Sequence, residues 1–115
     1  MAKFECDLTG DFDEILSAVD REISRSVSAS TEGSSFFRGN GCRVAVRVYE
    51  RYSFWGSNRV SLTFTLFETG NRLCCSAISA GGSQAVFFKI NTVGEENFLS
   101  LAETAVAPYR KRSED

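Results

Sequence analysis

The sequence lacks histidine altogether and contains one proline and one methionine among its 115 residues. Without histidine, Ser-His-Asp and Cys-His catalysis, histidine-ligated zinc or iron and a histidine pH switch are all excluded. The four cysteines include no C-x-x-C pair of the kind that binds metals. The one conceivable nucleophile, Cys42, stands beside a glycine turn and Arg43 and has no general base nearby in sequence. We therefore expect structural thiols, no metal, no cofactor and no enzyme activity.

Long hydrophobic runs are also missing, since no stretch approaches the ~20 apolar residues that a membrane helix needs. The start, Met1–Asp7, lacks the basic flank and apolar block of a secretory signal. Hydrophobic residues make up 43% of the chain, which argues against disorder. We therefore expect one α+β domain over residues 1–115, located in the cytoplasm and without a membrane partner.

The net charge of −2 conceals an uneven distribution along the chain. Residues 1–32 carry eight acids and three bases, and residues 33–89 carry two acids and seven bases. Residues 90–115 carry five acids and three bases. Two explanations are open at this point. Either the layers of one domain are complementary in charge, or a basic sheet face is left open for an anion or an acidic protein partner.

Two stretches show helical periodicity. Asp11 and Glu14 predict the start of an N-terminal helix, whose apolar stripe runs as far as Val27. Thr92 and Glu95 form a capping box ahead of a C-terminal helix. The apolar residues of these two stripes are Phe12, Ile15, Leu16, Val19, Ile23 and Val27, and Phe98, Leu101, Ala102, Ala105 and Tyr109. The serine-rich run over residues 24–31 is predicted to connect the first helix to a strand.

Between the helices the hydrophobic period changes to two, which predicts antiparallel strands. The predicted strands are Lys3–Leu8, Ser35–Arg38, Cys42–Tyr52, Arg59–Glu68, Arg72–Ser79 and Ala85–Ile90. The element order is then β-α-β-β-β-β-β-α, an antiparallel meander of about five to six strands with both helices on one face. A hairpin tip at Gly70 and Asn71 would place Leu66 opposite Cys75 and Phe64 opposite Ala77.

Alternation along the strands assigns side chains to two faces. The face expected to pack against the helices carries Val44, Val46, Val48, Val60, Leu62, Phe64, Leu66, Leu73, Cys75, Ala77, Val86, Phe88 and Ile90. The opposite face, called the outer face below, is predicted to carry Phe67, Ile78, Phe87, Arg43, Arg47, Tyr49 and Arg51. An antiparallel sheet can leave such a face to water or bury it in a dimer.

The outer face supports the favoured hypothesis, a non-catalytic protein-interaction or homodimerising module. Its centre would be Phe67, Ile78 and Phe87, and its rim would be the arginines at 43, 47 and 51. The same arginines would suit an acidic protein partner. With Tyr49 between them they could also hold a nucleic acid, but an isoelectric point of ≈ 5.2 argues against that partner.

The alternative hypothesis is a small apolar or amphipathic ligand, held between the C-terminal helix and the sheet. Phe64, Cys75, Ala77 and Phe88 would line this pocket, with Trp55 near its mouth. The small side chains of Cys75, Ala77 and Ser79 fit either a close helix contact or a void beneath the helix. The aromatic segment Tyr52–Trp55 would likewise anchor a partner or fold back over one end of the core.

Two resemblances follow from this order of elements and from local motifs. The order strand, helix, antiparallel meander and C-terminal helix resembles a shortened helix-grip fold, whose larger members bind lipids, hormones or polyketides between helix and sheet. The segments Gly81–Gln84, Phe87–Thr92 and Gly94–Glu96, with the Lys3-Phe4 strand, are similar to a small family of uncharacterised bacterial proteins of about this length. That second resemblance implies a bacterial cytosolic protein and supplies no activity, ligand or catalytic residue.

Overall fold

A computed structural model describes residues 1–52, 59–81 and 98–112 of the chain. Its elements are β1 (Ala2–Leu8), α1 (Phe12–Ser24), β2 (Ala29–Gly39), β3 (Cys42–Tyr52), β4 (Arg59–Thr69), β5 (Arg72–Gly81), α2 (residues 98–106) and a 3-10 turn (Ala107–Tyr109). The five strands form one antiparallel sheet in the order β1-β5-β4-β3-β2. The predicted α+β meander is therefore confirmed. The predicted strand Ala85–Ile90 and the cap at Thr92 lie outside the described residues.

The start of α1 follows the predicted capping signal. The backbone N–H of Glu14 donates to Oδ2 of Asp11 over 2.9 Å, which satisfies one of the free amides of the first turn. The helix ends at Ser24, where the amides of Arg25 and Ser26 bond back to carbonyls of the last turn. Val27 lies beyond this end and is fully exposed, so the predicted extension of the buried stripe to Val27 is wrong.

The turn residues fix the strand registers. Asn40 and Gly41 both have positive φ, 53° and 76°, as the two-residue turn of a type I′ hairpin requires, and they join β2 to β3. The β4–β5 hairpin turns at Gly70 and Asn71. Its register places Leu66 opposite Cys75 and Phe64 opposite Ala77, as predicted.

The second strand is longer than the sequence indicates. It runs over Ala29–Gly39, whereas alternation predicted only Ser35–Arg38. Its first half is rich in serine and glycine, which have little strand preference, so the backbone ladder with β3 determines the structure there. The register shifts between Thr31 and Gly33, where one extra residue forms an irregularity in this edge strand.

Both helices pack on the same face of the sheet, as predicted, and this face is called the helix-packed face below. The core there contains Leu8, Phe12, Ile15, Leu16, Val19, Ile23, Ala45, Tyr49, Val60, Leu62, Phe64, Leu66, Leu73, Cys75, Ala77, Phe98, Leu99, Ala102, Ala105 and Val106. Phe12 also meets the ring of Phe36 edge-to-face, with centroids 6.2 Å apart, which ties α1 to the edge strand β2.

The end of the described chain is fastened along β1. The amide of Thr9 donates to the carbonyl of Tyr109 over 2.7 Å, and the amide of Lys111 donates to the carbonyl of Asp7 over 2.9 Å. Gly10 lies beneath the Tyr109 ring with φ of +136°, and a Cβ there would come within 3.0 Å of the ring. The glycine is therefore required both for its backbone angle and for this close approach.

Candidate functional site

The side chains of β3 lie on the faces of the sheet opposite to those predicted from the sequence. Ala45 lies opposite Leu66, Arg47 opposite Phe64, and Tyr49 opposite Leu62, so these residues share the helix-packed face. The predicted positions of Arg43, Arg47, Tyr49 and Arg51 on the outer face, and of Val44, Val46 and Val48 on the core face, are therefore wrong. The physical reason is that α1 supplies carboxylates and both helices supply aromatic rings. The row of arginines at 43, 47 and 51 therefore finds charge and ring partners beneath the helices.

Arg43 joins three elements. Its Nη2 and Nε lie 2.7 Å and 2.8 Å from Oε1 of Glu68 in β4, and its Nη1 lies 3.7 Å from Oδ2 of Asp13 in α1. The guanidinium carbon stands 4.3 Å from the ring centroid of Phe12. An arginine held by a carboxylate and stacked on an aromatic ring contributes to packing as well as to charge pairing.

Arg47 and Tyr49 converge on one carboxylate of α1. Nε of Arg47 lies 3.5 Å from Oδ1 of Asp20, and the Tyr49 hydroxyl donates a short hydrogen bond to the same oxygen. Tyr49 is 1% exposed. Burial, followed by the hydrogen bond to Asp20 and its negative charge, raises the pKa of Tyr49 above the ordinary range of a phenol. The tyrosine is thus a neutral hydrogen-bond donor inside the domain.

Arg51 completes the row. Its guanidinium carbon lies 4.8 Å from the ring centroid of Phe98 in α2, and its Nη1 donates to Oγ of Ser26 over 3.3 Å. Burial lowers the pKa of this arginine. The row therefore connects β3 to both helices, and the basic strands and acidic α1 complement one another within the domain. These contacts do not favour the row as a docking surface for an acidic partner or a nucleic acid.

The outer face carries apolar side chains, with threonine and serine between some of them, in place of the predicted arginines. Phe37, Val44 and Phe67 stand directly opposite one another on β2, β3 and β4. Two neighbouring rows add Val46 and Val48 of β3, and Ile78 of β5. We call these six residues the apolar band: Phe37, Val44, Val46, Val48, Phe67 and Ile78. Phe37 is 66% exposed, Phe67 37% and Ile78 36%, so large apolar side chains on this face are in contact with water.

Charged side chains on this face lie around the apolar band. Arg72 donates from Nε to Oδ1 of Asp7 over 3.1 Å at one end, and Arg59 donates from Nη1 to Oε1 of Glu50 over 2.9 Å at the other. Sequence reasoning did not find these rim pairs. The predicted faces of β4 and β5 already place Arg59 and Arg72 on the outer side, so alternation on these two strands was the signal that could have identified both arginines.

An open depression lies beside the apolar band. It has a volume of about 370 Å³ and is lined by Glu5, Cys6, Asp7, Thr65, Phe67, Arg72, Cys74, Cys75 and Ser76, most of which have their side chains on the outer face. Its chemistry is mixed, since one end is an ion pair and the other is the Phe67 ring with the Cys74 thiol. The depression therefore extends the interaction surface at its rim.

The predicted ligand pocket is not seen among the described residues. Phe64 and Ala77 have no exposed surface and Cys75 is 4% exposed, and all three belong to the packed core. Phe88 and Trp55, predicted to complete that pocket, lie outside the described residues, as does Phe87 of the predicted interface. The small side chains of Cys75, Ala77 and Ser79 on β5 are buried.

Cys42 has no partner that would make it a nucleophile in the described part of the chain. Its Sγ lies 3.2 Å from Oγ1 of Thr69 and 3.7 Å from the carbonyl oxygen of Asn40, and neither is a base that would take its proton. No group of three or more potential metal ligands was found in the described segments. No helix in those segments is both long and apolar enough to cross a membrane.

Comparison with known proteins gives a family and no biochemical role. No curated protein matches the chain, and no solved structure matches it. The model of a family of unknown function, DUF6054, matches residues 1–110, which is almost the whole chain. The confirmed part of the predicted resemblance is therefore the uncharacterised family, and the chain belongs to the family of unknown function DUF6054.

Proposed function

We propose that the protein is a non-catalytic homodimerising module in which two copies pack outer face against outer face. The observation that carries the proposal is the apolar band, a row of large side chains left in water on the face opposite both helices. Isolated exposed apolar residues are ordinary, whereas a contiguous band on a sheet generally meets another surface. Antiparallel sheets commonly bury such a face against a second sheet.

The distribution of charge favours a second copy as the occupant. Nine outer-face positions on β3, β4 and β5 carry no charge: Val44, Val46, Val48, Thr63, Thr65, Phe67, Cys74, Ser76 and Ile78. Two such surfaces can meet without desolvating an ion. The charged groups stand at the rim, where Asp7–Arg72 and Glu50–Arg59 are paired within the chain and Lys3 and Glu5 lie on the edge strand β1. An uncharged centre with a polar rim is the usual anatomy of a protein interface.

The whole outer face, with its charged rim, approaches the area that a stable dimer needs. Five strands at ~4.8 Å spacing and an average length of ~30 Å give a face of roughly 700 Å². Stable interfaces bury about 800 Å² on each partner. A sheet face of this size approaches that requirement without any rearrangement of the helices. Valine, threonine and isoleucine side chains of moderate size allow two faces to approach at the usual ~10 Å.

We place this module in the cytoplasm as part of the same proposal. All four cysteines carry free thiols, which suits a reducing compartment. No described feature favours catalysis, and the ligand pocket has no supporting observation among the described residues. The dimer is therefore the function best supported by the geometry.

The test is a double substitution, Phe37→Lys with Phe67→Lys, on either side of Val44 in one cross-strand row. Each dimer would bury four new cations, so the variant is expected to be monomeric where the native protein is dimeric. Size-exclusion chromatography with light scattering over a range of concentrations measures this directly, and circular dichroism verifies that the strands remain. Dimers of unchanged stability in this variant would exclude the outer face as the interface.

Val27→Lys is the matched control. Val27 is a fully exposed apolar residue in the connection between α1 and β2, far from the apolar band in sequence and not in the sheet. Because it removes apolar surface and adds a cation without touching the outer face, it should leave the association constant unchanged. Loss of dimers in both variants would indicate a general charge effect rather than this interface.

A further inference from the structure

Cys6 and Cys75 bring two thiols together on the helix-packed face. They stand directly opposite one another on β1 and β5, and their sulfur atoms are 3.6 Å apart. We propose that this pair is a dithiol/disulfide site that reacts with low-molecular-weight disulfides such as oxidised glutathione. The proposal is independent of the dimer, because neither thiol lies on the outer face.

The backbone already satisfies the geometry of a disulfide. Directly opposed residues of an antiparallel ladder have Cα atoms about 4.5–5.5 Å apart. Disulfides span Cα separations of about 4.4–6.8 Å, with a bond of about 2.05 Å. The sulfur atoms therefore need to approach by only about 1.5 Å, a movement that side-chain rotation supplies without a change of register.

The other two cysteines are placed differently. Cys74 is the neighbour of Cys75 in β5, so alternation along the strand places its side chain on the outer face, opposite Phe67. Cys42 also lies on the outer face, where its thiol contacts Thr69. The register thus selects one pair among four cysteines. This selection is a property of strand pairing and is not readable from cysteine spacing.

The proposed reaction proceeds in two exchanges. The Cys6 thiolate, half-buried on the edge strand β1, attacks one sulfur of oxidised glutathione, breaks its disulfide and releases one glutathione thiolate, which takes up a proton. Cys75 then gives its proton to water, and its thiolate attacks the Cys6 sulfur, breaks the mixed disulfide and expels the second glutathione as a thiolate, which takes up a proton. Two protein thiols are oxidised to one disulfide while one oxidised glutathione is reduced to two thiols.

The order of these exchanges follows from exposure. Cys75 is 4% exposed, so an external disulfide reaches Cys6 first and Cys75 acts as the resolving thiol. Burial, followed by the neighbouring Cys6 thiol, raises the pKa of Cys75. The second exchange should therefore be slow near neutrality and accelerate as the pH rises. Its product would join residues 69 positions apart and fix the edge strand β1 to β5.

The experiment treats the reduced, folded full chain with oxidised glutathione, quenches with acid, alkylates the remaining thiols in denaturant and maps peptides by mass spectrometry. We expect a Cys6–Cys75 cross-linked peptide, with Cys42 and Cys74 alkylated. Cys75→Ala should stop at a glutathione adduct on Cys6, and Cys6→Ala should prevent the cross-link. Cys74→Ala, the neighbouring control, should not change it.

Three results would overturn the proposal. The first is a stable glutathione adduct on Cys6 of the native chain at alkaline pH, without a cross-link. The second is a cross-link that involves Cys42 or Cys74. The third is a Cys6–Cys75 cross-link obtained only after urea is added, since the folded register would then not be its cause. Circular dichroism of each alanine variant ensures that the comparison is made between folded chains.

Discussion

The two faces of the sheet differ in a way that reverses the ordinary expectation for charged residues. The helix-packed face contains three arginines of β3, while the outer face of the same strand carries three valines. Carboxylates of Asp13, Asp20 and Glu68 pair with Arg43 and Arg47. Aromatic rings of the two helices cover the guanidinium groups of Arg43 and Arg51. The valines are half-exposed because no described element covers them. Charge alone therefore does not indicate which face of a sheet is solvated.

The largest expected difference between the two faces is in packing. Phe64 and Phe67 lie three residues apart on β4, one unexposed and the other 37% exposed. Phe64→Ala should lower the free energy of unfolding by about 3–5 kcal/mol, since it removes a core ring and leaves a cavity. Phe67→Ala should cost less than about 1 kcal/mol in the monomer. Urea denaturation at low protein concentration measures both, and equal losses would contradict the assignment of faces.

The ion pairs beneath α1 should differ in how much each contributes to the free energy of unfolding. Asp20→Asn removes the charge that Arg47 and Tyr49 share, and we expect a loss of about 1–2 kcal/mol in the free energy of unfolding. Asp13→Asn is the matched control. Its side chain is 77% exposed and lies 3.7 Å from Arg43, so its loss should stay within about 0.5 kcal/mol. A larger effect at Asp13 than at Asp20 would mean that the pairing at the centre of α1 is not the stabilising one.

Alkaline pH should weaken the helix-packed face through Tyr49. The raised pKa means that the native state keeps the phenolic proton after the unfolded chain has lost it, near pH 10. Stability from this group is thus complete below about pH 10 and falls above it, by at most about 1.4 kcal/mol per pH unit. The buried Cys75 thiol adds a loss of the same sign from about pH 8.5.

Tyr49→Phe provides the control for this pH dependence. The variant should be less stable near neutrality, because Asp20 loses a hydrogen-bond donor, but its stability should fall less steeply above pH 10. Urea midpoints measured at several pH values for both chains test this. Parallel curves for the two chains would show that Tyr49 does not hold its proton in the folded state.

The smallest expected effect concerns Cys74 on the outer face. In the proposed dimer this half-buried thiol, which lies opposite Phe67, is covered by the second copy. Its alkylation rate should therefore decrease several-fold as the protein concentration rises through the dissociation constant. In the Phe37→Lys/Phe67→Lys variant the rate should not depend on concentration. A constant rate in the native chain, with dimers present, would place the interface elsewhere.

The sequence predicted the start of α1 and the bounds of β3, β4 and β5 well because their signals are local. The cap at Asp11, the turn Asn40-Gly41 and the hairpin tip at Gly70 each fix a boundary or register with neighbouring residues alone. The β4–β5 pairing was therefore correct to the residue. The confirmed α+β class follows directly from these local signals.

The orientation of β3 was not predictable in the same way. Both alternating sets of side chains on this strand contain apolar or aromatic residues. Alternation therefore does not show whether Val44 or Ala45 is the inward residue. The contacts that distinguish the two orientations, Arg47 and Tyr49 with Asp20, join residues 27–29 positions apart in sequence. The candidate interface was therefore correct at Phe67 and Ile78 in its choice of face, and wrong for every arginine assigned to its rim.

The most direct test of the outer face is native mass spectrometry of the freshly purified chain over a series of concentrations. The proposed packing predicts a species of twice 12.7 kDa that becomes more abundant with concentration. That species should be absent from the Phe37→Lys/Phe67→Lys variant. A native chain that remains a bare 12.7 kDa monomer throughout the micromolar range would contradict the proposed homodimer.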